Sequence, residues 1–128
     1  MPLTDAQTQS LIRHLATDVM GWKMQSGKHD GFACGSDGAS HSLWGGFSIL
    51  APRWNPTTDG SAMMQVWEAA REKDYTGSLI NCYPSANGWV ATVWDDTPLV
   101  VASARTDSGP LALCLAVGRA TGWEEPTT

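Results

Sequence analysis

Three apolar segments follow one another between residues 79 and 105, separated by short polar links, and this succession constrains the fold more than any other stretch. Leu79 to Tyr83 lies between Gly77 and Pro84, Trp89 to Trp94 follows Asn87-Gly88, and Leu99 to Arg105 follows Asp95-Asp96-Thr97-Pro98. Links of this length can reverse a strand but cannot carry a crossover helix, so consecutive strands run antiparallel as a meander. Side chains alternate across a strand, which puts Trp89, Ala91 and Val93 on one face of the middle segment and Val90, Thr92 and Trp94 on the other. Both faces are largely apolar. The expectation is an α+β fold in which a small antiparallel sheet is sandwiched between helices.

Three helices supply those layers. The first starts near Thr4, where T-D-A-Q offers a capping box closed by Gln7, and buries Leu11, Ile12, Leu15, Val19 and Met20 along one face. Gly21 stops it, and Trp22 folds back over its end. The second is launched by the turn Trp54-Asn55-Pro56-Thr57-Thr58-Asp59, with Thr58 or Asp59 as cap. Its buried stripe is Ala62, Met63, Val66, Trp67 and Ala70, while Glu68, Arg71, Glu72 and Lys73 face water. The third begins near Asp107 or Ser108, accepts Pro110 in its first turn, and is apolar all round from Leu111 to Val117. It should therefore be the most buried. Gly122 ends it, and residues 123–128 read as a tail that frays.

Between the first two helices the composition shifts to Gly, Ser, Asp and His. Residues 26–46 read as a Gly-rich loop or a loose pair of short strands, with Phe47 to Leu50 as a further short strand. His29, Asp30, Cys34, Asp37 and His41 are metal-capable, but H-x4-C-x6-H matches no established finger spacing, and no metal site is assigned.

With 128 residues the chain is expected to form one domain spanning 1–128 around one core. Its seven Trp outnumber Tyr and Phe together, so indoles carry much of that core. A formal net charge of −5 removes the basic surface that phosphate-backbone binding requires, and direct nucleic-acid binding is disfavoured. No apolar run is long enough to span a membrane, and no signal peptide is visible. Three cysteines without metal spacing suit reduced thiols, so the expected location is the cytoplasm.

The assembled pattern resembles the phage ABA sandwich domain, a family found in phage and prophage genomes. The resemblance rests on a first helix ending in M-G-W-K (Met20 to Lys23), the P-T-T-D turn (Pro56 to Asp59) leading into M-Q-V-W-E-A (Met64 to Ala69), N-G-W-V-A-T-V (Asn87 to Val93), and T-D-S-G-P-L-A-L-C-L-A (Thr106 to Ala116). It implies a small sheet between helical layers in a protein made inside an infected bacterium. The family has no agreed catalytic residues, so none is carried over. The Gly-rich stretch at 26–46 is longer and more polar than the family pattern.

Nothing in the chain reads as an enzyme: there is no G-x-S-x-G elbow, no phosphate-binding glycine loop and no H-E-x-x-H. Asp95, Asp96 and Asp107 could hold a cation only if their loops converged, and they read more simply as turn and cap residues. No cofactor is expected. The candidate binding residues are Trp44, Arg53, Trp54, Asn55, Trp94 and Arg105, because these aromatics and cations fall on loops or strand ends. Three functional expectations follow. The protein binds a host protein, sequesters a nucleotide-like small molecule by stacking on Trp44, Trp54 or Trp94, or forms a homo-oligomer through exposed indoles. In this reading Trp67 belongs to the core, and Trp54 lies at the surface with little weight in stability.

Overall fold

A computed structural model of the chain describes residues 3–24, 31–35, 40–44, 53–81, 88–97 and 99–126. The order is α1 (Asp5–His14), β1 (Lys23–Met24), β2 (Phe32–Cys34), β3 (Ser40–Ser42), α2 (Gly60–Glu72), β4 (Thr76–Asn81), β5 (Trp89–Trp94), β6 (Val100–Thr106) and α3 (Gly109–Ala120). The α+β class and the antiparallel meander are as expected, with β4, β5 and β6 adjacent in that order. A second three-stranded antiparallel sheet, β1-β2-β3, was not anticipated as a sheet. Its strands are only two or three residues long, too short for alternation to register in the sequence. The strand expected at Phe47 to Leu50, the ligand candidates His29, Asp30 and Asp37, and Cys82 lie outside the described residues.

Local chemistry sets the helix boundaries. Thr4 and Gln7 form the reciprocal capping box at α1, and the Asp59 carboxylate accepts from Ser61 N at 3.1 Å to open α2. Ser108, rather than Asp107, caps α3.

The helix exits share one device. After α1 the chain makes a π-helical turn, Leu15–Val19, then enters the left-handed region at Gly21 (φ +76°), and Trp22 N donates back to Ala16 O at 2.8 Å. Asp74 (φ +66°) and Gly122 (φ +103°) do the same after α2 and α3, with Tyr75 N on Ala70 O at 3.1 Å and Trp123 N on Gly118 O at 2.8 Å. This closure satisfies terminal carbonyls and throws the next side chain back over the helix. That side chain is aromatic each time.

The last of these closures corrects the expectation of a frayed tail. Trp123 is buried, its Nε1–H donates to Ser10 Oγ at 3.1 Å, and Gln7 Nε2 donates to Pro126 O at 2.7 Å. The segment 123–126 is therefore docked on α1. Gly118 lets α1 approach α3 here, since a Cβ there would stand 2.7 Å from Leu11 Cδ1, while Trp123 Cβ at 3.6 Å would be in ordinary contact.

The order of the layers among the described residues follows from the contacts of α3. Helix α3 contacts β4, β5 and β6, and it also contacts α2 and α1. Its residues Ala112 to Gly118 are all buried. One neighbouring layer could cover only a stripe of a helix, so uninterrupted burial means that α3 is the middle layer. The sheet lies outside it. Ala91, Val93, Ala102 and Ala104 pack inward beneath α3, whereas the opposite face carries Ile80, Val90, Thr92, Trp94 and Arg105, and no described helix covers it.

Candidate interaction surface

The sequence candidates do not converge on one site. Trp54 is only 4% exposed, which overturns its placement at the surface. Its Nε1–H donates to Gln65 Oε1 at 2.7 Å, and its ring tilts against Trp22 at 4.7 Å. Trp22 in turn stacks on His41 at 4.1 Å, with planes 6° apart. Trp54 thus joins the α2 turn to the small sheet, and its backbone N–H, donating to Ser42 O at 2.8 Å, reinforces the junction. The structural reason is that a short turn leading into a helix against the core pulls the preceding indole under the helix.

Asn55 is a turn residue. Its Oδ1 accepts from Thr57 N at 3.1 Å and Thr57 Oγ1 at 2.5 Å, and its carbonyl accepts from Thr58 N and Asp59 N. Trp44 is half-buried against the core, while Arg53 is exposed beside β3. Trp94 and Arg105 share the outer face of the large sheet but sit at opposite ends, since Trp94 pairs with Val100 and Arg105 with Val90. At ~3.4 Å per residue the four steps from Val90 to Trp94 span roughly 14 Å.

The chemistry-bearing clusters separate in the same way. Asp95 Oδ1 accepts from Thr97 N at 2.9 Å, Thr97 Oγ1 at 2.6 Å and Leu99 N at 3.2 Å, which organises the β5–β6 hairpin. The Thr97 hydroxyl bond leads the interactions that hold this carboxyl below its ordinary range. Asp107 follows the far end of β6, so the three aspartates do not meet. Cys34 pairs with Ser40 and Ala33 with His41, which sends Cys34 and His41 to opposite faces of the small sheet. Cys114 is buried, donates to Pro56 O at 3.1 Å, and has its thiol pushed up by burial away from thiolate character.

His14 is a titratable group that sequence reasoning passed over. Its Nδ1 lies 3.0 Å from Asp18 Oδ2, and its Nε2 lies 2.8 Å from Thr121 Oγ1 at the end of α3. Burial lowers its pKa, and Asp18 opposes that shift. A histidine depressed in the folded state takes up protons first in the unfolded chain. Its contribution to stability is complete above the ordinary value of about 6.5 and is lost as pH falls from there through the folded pKa. Denaturant midpoints measured from pH 7.5 downward are therefore expected to decline less steeply in His14→Gln than in the parent, and more steeply in Asp18→Asn. Parallel profiles for all three proteins would refute this linkage.

The surface that stands out was not among the candidates. Ile80, Leu99, Val100 and Val101 are 42 to 64% exposed on or beside the outer sheet face, the last three next to half-buried Trp94 and Ile80 at the other end, beside Val90. A register shift opposite Val93/Trp94 pairs Val93 with Ala102 and Trp94 with Val100, leaving Val101 as the extra residue. This bulge turns both valines outward. The available signal was the run Leu99-Val100-Val101 itself, because consecutive apolar residues in a strand cannot all face one layer.

Beside this face runs a cleft of about 400 Å³ between α2 and β4, lined by Met64, Trp67, Glu68, Arg71, Thr76 and Gly77. A second hollow of about 330 Å³, lined by Thr76, Trp94, Asp95 and Asp96, shares Thr76 with it. Trp67 is only half-buried, and its indole lies over Gly77, where a Cβ would stand 3.4 Å from Nε1.

Among the described residues the fold is an α+β arrangement with helices layered on one side of a meander. A phage protein from Bacillus cereus, known from its crystal structure, shares this fold with a TM-score of 0.67 over 98% of this chain and 97% of that one, at 11% sequence identity. At that identity the likeness establishes the fold. No protein-family model and no curated protein sequence matches the chain. No helix among the described residues is long and apolar enough to cross a membrane.

Proposed function

We propose that this chain is a non-enzymatic phage accessory protein, of the phage ABA sandwich kind, that docks on a host protein in the bacterial cytoplasm and alters its behaviour. The observation that carries this reading is the exposed apolar run Leu99, Val100 and Val101 beside Trp94, on the side of the sheet that no described helix covers, with exposed Ile80 at the other end of the same face. Contiguous apolar surface of this kind is characteristic of interaction sites. The separation of Asp95 from Asp107, and of Cys34 from His41, supports the non-enzymatic part of the reading.

The test is affinity capture from host lysate with the parent chain and with Val101→Lys, whose side chain is exposed. A stoichiometric host protein retained by the parent and lost by the variant, with thermal unfolding unchanged, is the expected result. Capture indifferent to Val101→Lys, or no partner under several growth conditions, would overturn the proposal. The same face favours a second reading, a homo-oligomer in which two copies cover each other, and light scattering over a concentration series separates the two. Nucleotide sequestration has less support, because Trp94, the stacking candidate on this side, opens onto Asp95 and Asp96, which repel phosphate.

A further inference from the structure

We infer that the cleft between α2 and β4, together with the adjoining hollow at the β5–β6 hairpin, receives a polypeptide segment of the partner in which apolar side chains are flanked by lysine or arginine. This rests on the protein-docking reading above and specifies the chemistry of the partner. The cleft has apolar anchor points at both ends: Met64, 45% exposed, with the half-buried indole of Trp67 on α2, and the half-buried indole of Trp94 on β5. Tryptophan supplies large contact area at small entropic cost, and methionine adapts to different partner shapes. Gly77 gives the floor its depth, since the strand has no side chain beneath Trp67.

Charge selects the occupant. The two hollows that share Thr76 are lined by the acidic residues Glu68, Asp95 and Asp96 against the single arginine Arg71, in a chain of net charge −5. An acidic rim around apolar anchors attracts a basic segment and repels an acidic one. Glu68, Arg71, Thr76 and Asp96 are exposed, so the cleft is open along its length and suits successive side chains of a peptide better than an enclosed small molecule.

The experiment titrates the full chain, by tryptophan fluorescence at low and high salt, with a short peptide of leucine and lysine and with its leucine and glutamate counterpart. The lysine peptide is expected to bind at low salt and weaken as salt rises, and the glutamate peptide is expected not to bind. Asp96→Lys and Met64→Lys, both at exposed positions, should each weaken the lysine peptide by about tenfold. Glu124→Lys, an equal charge change on the exposed C-terminal segment, should have little effect. Thermal unfolding of each variant verifies folding. No binding of the lysine peptide, equal binding of both peptides, or equal weakening by Glu124→Lys and Asp96→Lys overturns the inference. Host-protein capture that needs Val101 but survives Asp96→Lys and Met64→Lys overturns it while leaving the docking proposal standing. Peptide binding with the expected variant pattern, but without any captured host protein, supports the cleft chemistry and removes the docking proposal.

Discussion

Replacing Trp54 with alanine is expected to lower the unfolding free energy by about 3–5 kcal/mol, the range for truncating a large buried aromatic. The indole is 4% exposed, donates to Gln65 Oε1 at 2.7 Å and leans on Trp22 at 4.7 Å. Its removal would open a cavity where the α2 turn, the small sheet and the end of α1 meet. Trp54→Phe separates the two contributions, because it keeps a ring against Trp22 and loses only the N–H. That change should cost about 1 kcal/mol beyond any repacking, since Gln65 is exposed and regains water. Urea unfolding of the three proteins measures both effects. An alanine variant as stable as the parent would show that Trp54 does not carry the junction.

The second large effect is expected at the other end of the chain. Trp123→Ala should also cost about 3–5 kcal/mol, although its neighbours Glu124 and Glu125 are exposed and Glu124→Gln should change stability by no more than about 0.5 kcal/mol. Trp123 packs beside Gly118, where Leu11 of α1 also meets α3, and its Nε1–H reaches Ser10 Oγ. The variant loses one of the contacts that tie the end of α3 to α1, alongside those of Leu11 and His14. Equal stability of Trp123→Ala and Glu124→Gln would return residues 123–126 to the status of a loose tail.

These two indoles mark where sequence reasoning succeeded and where it did not. The ends of the elements were legible because they depend on neighbours in the chain. Thr4 with Gln7, Asp59 before α2, and Gly21 and Gly122 after their helices all act within a turn of themselves. Strand β5 coincides with its expected span for the same reason, since alternation and the flanking turn residues are local. The register shift at Val93/Trp94 was not legible, because a bulge is a property of two strands read against each other. The six candidate binding residues were chosen by chemical type and loop position. Neither property reports burial, and Trp54 and Asn55 proved to be structural while Trp94 and Arg105 lie at opposite ends of one face.

The sequence alone determined that the chain forms three helices and an antiparallel meander, that α3 is apolar on every side, and that the net charge is negative. Tertiary structure decided what that all-round apolarity means. A helix apolar on every side needs neighbours on every side, and α3 obtains them by lying between the sheet and the α1/α2 pair. Placing the helix in the middle leaves the sheet on the outside, with one face buried and Ile80, Val100 and Val101 toward solvent. Periodicity specifies which faces are apolar, whereas the order of the layers depends on which of those faces meet, and that is set by contacts between residues far apart in the chain.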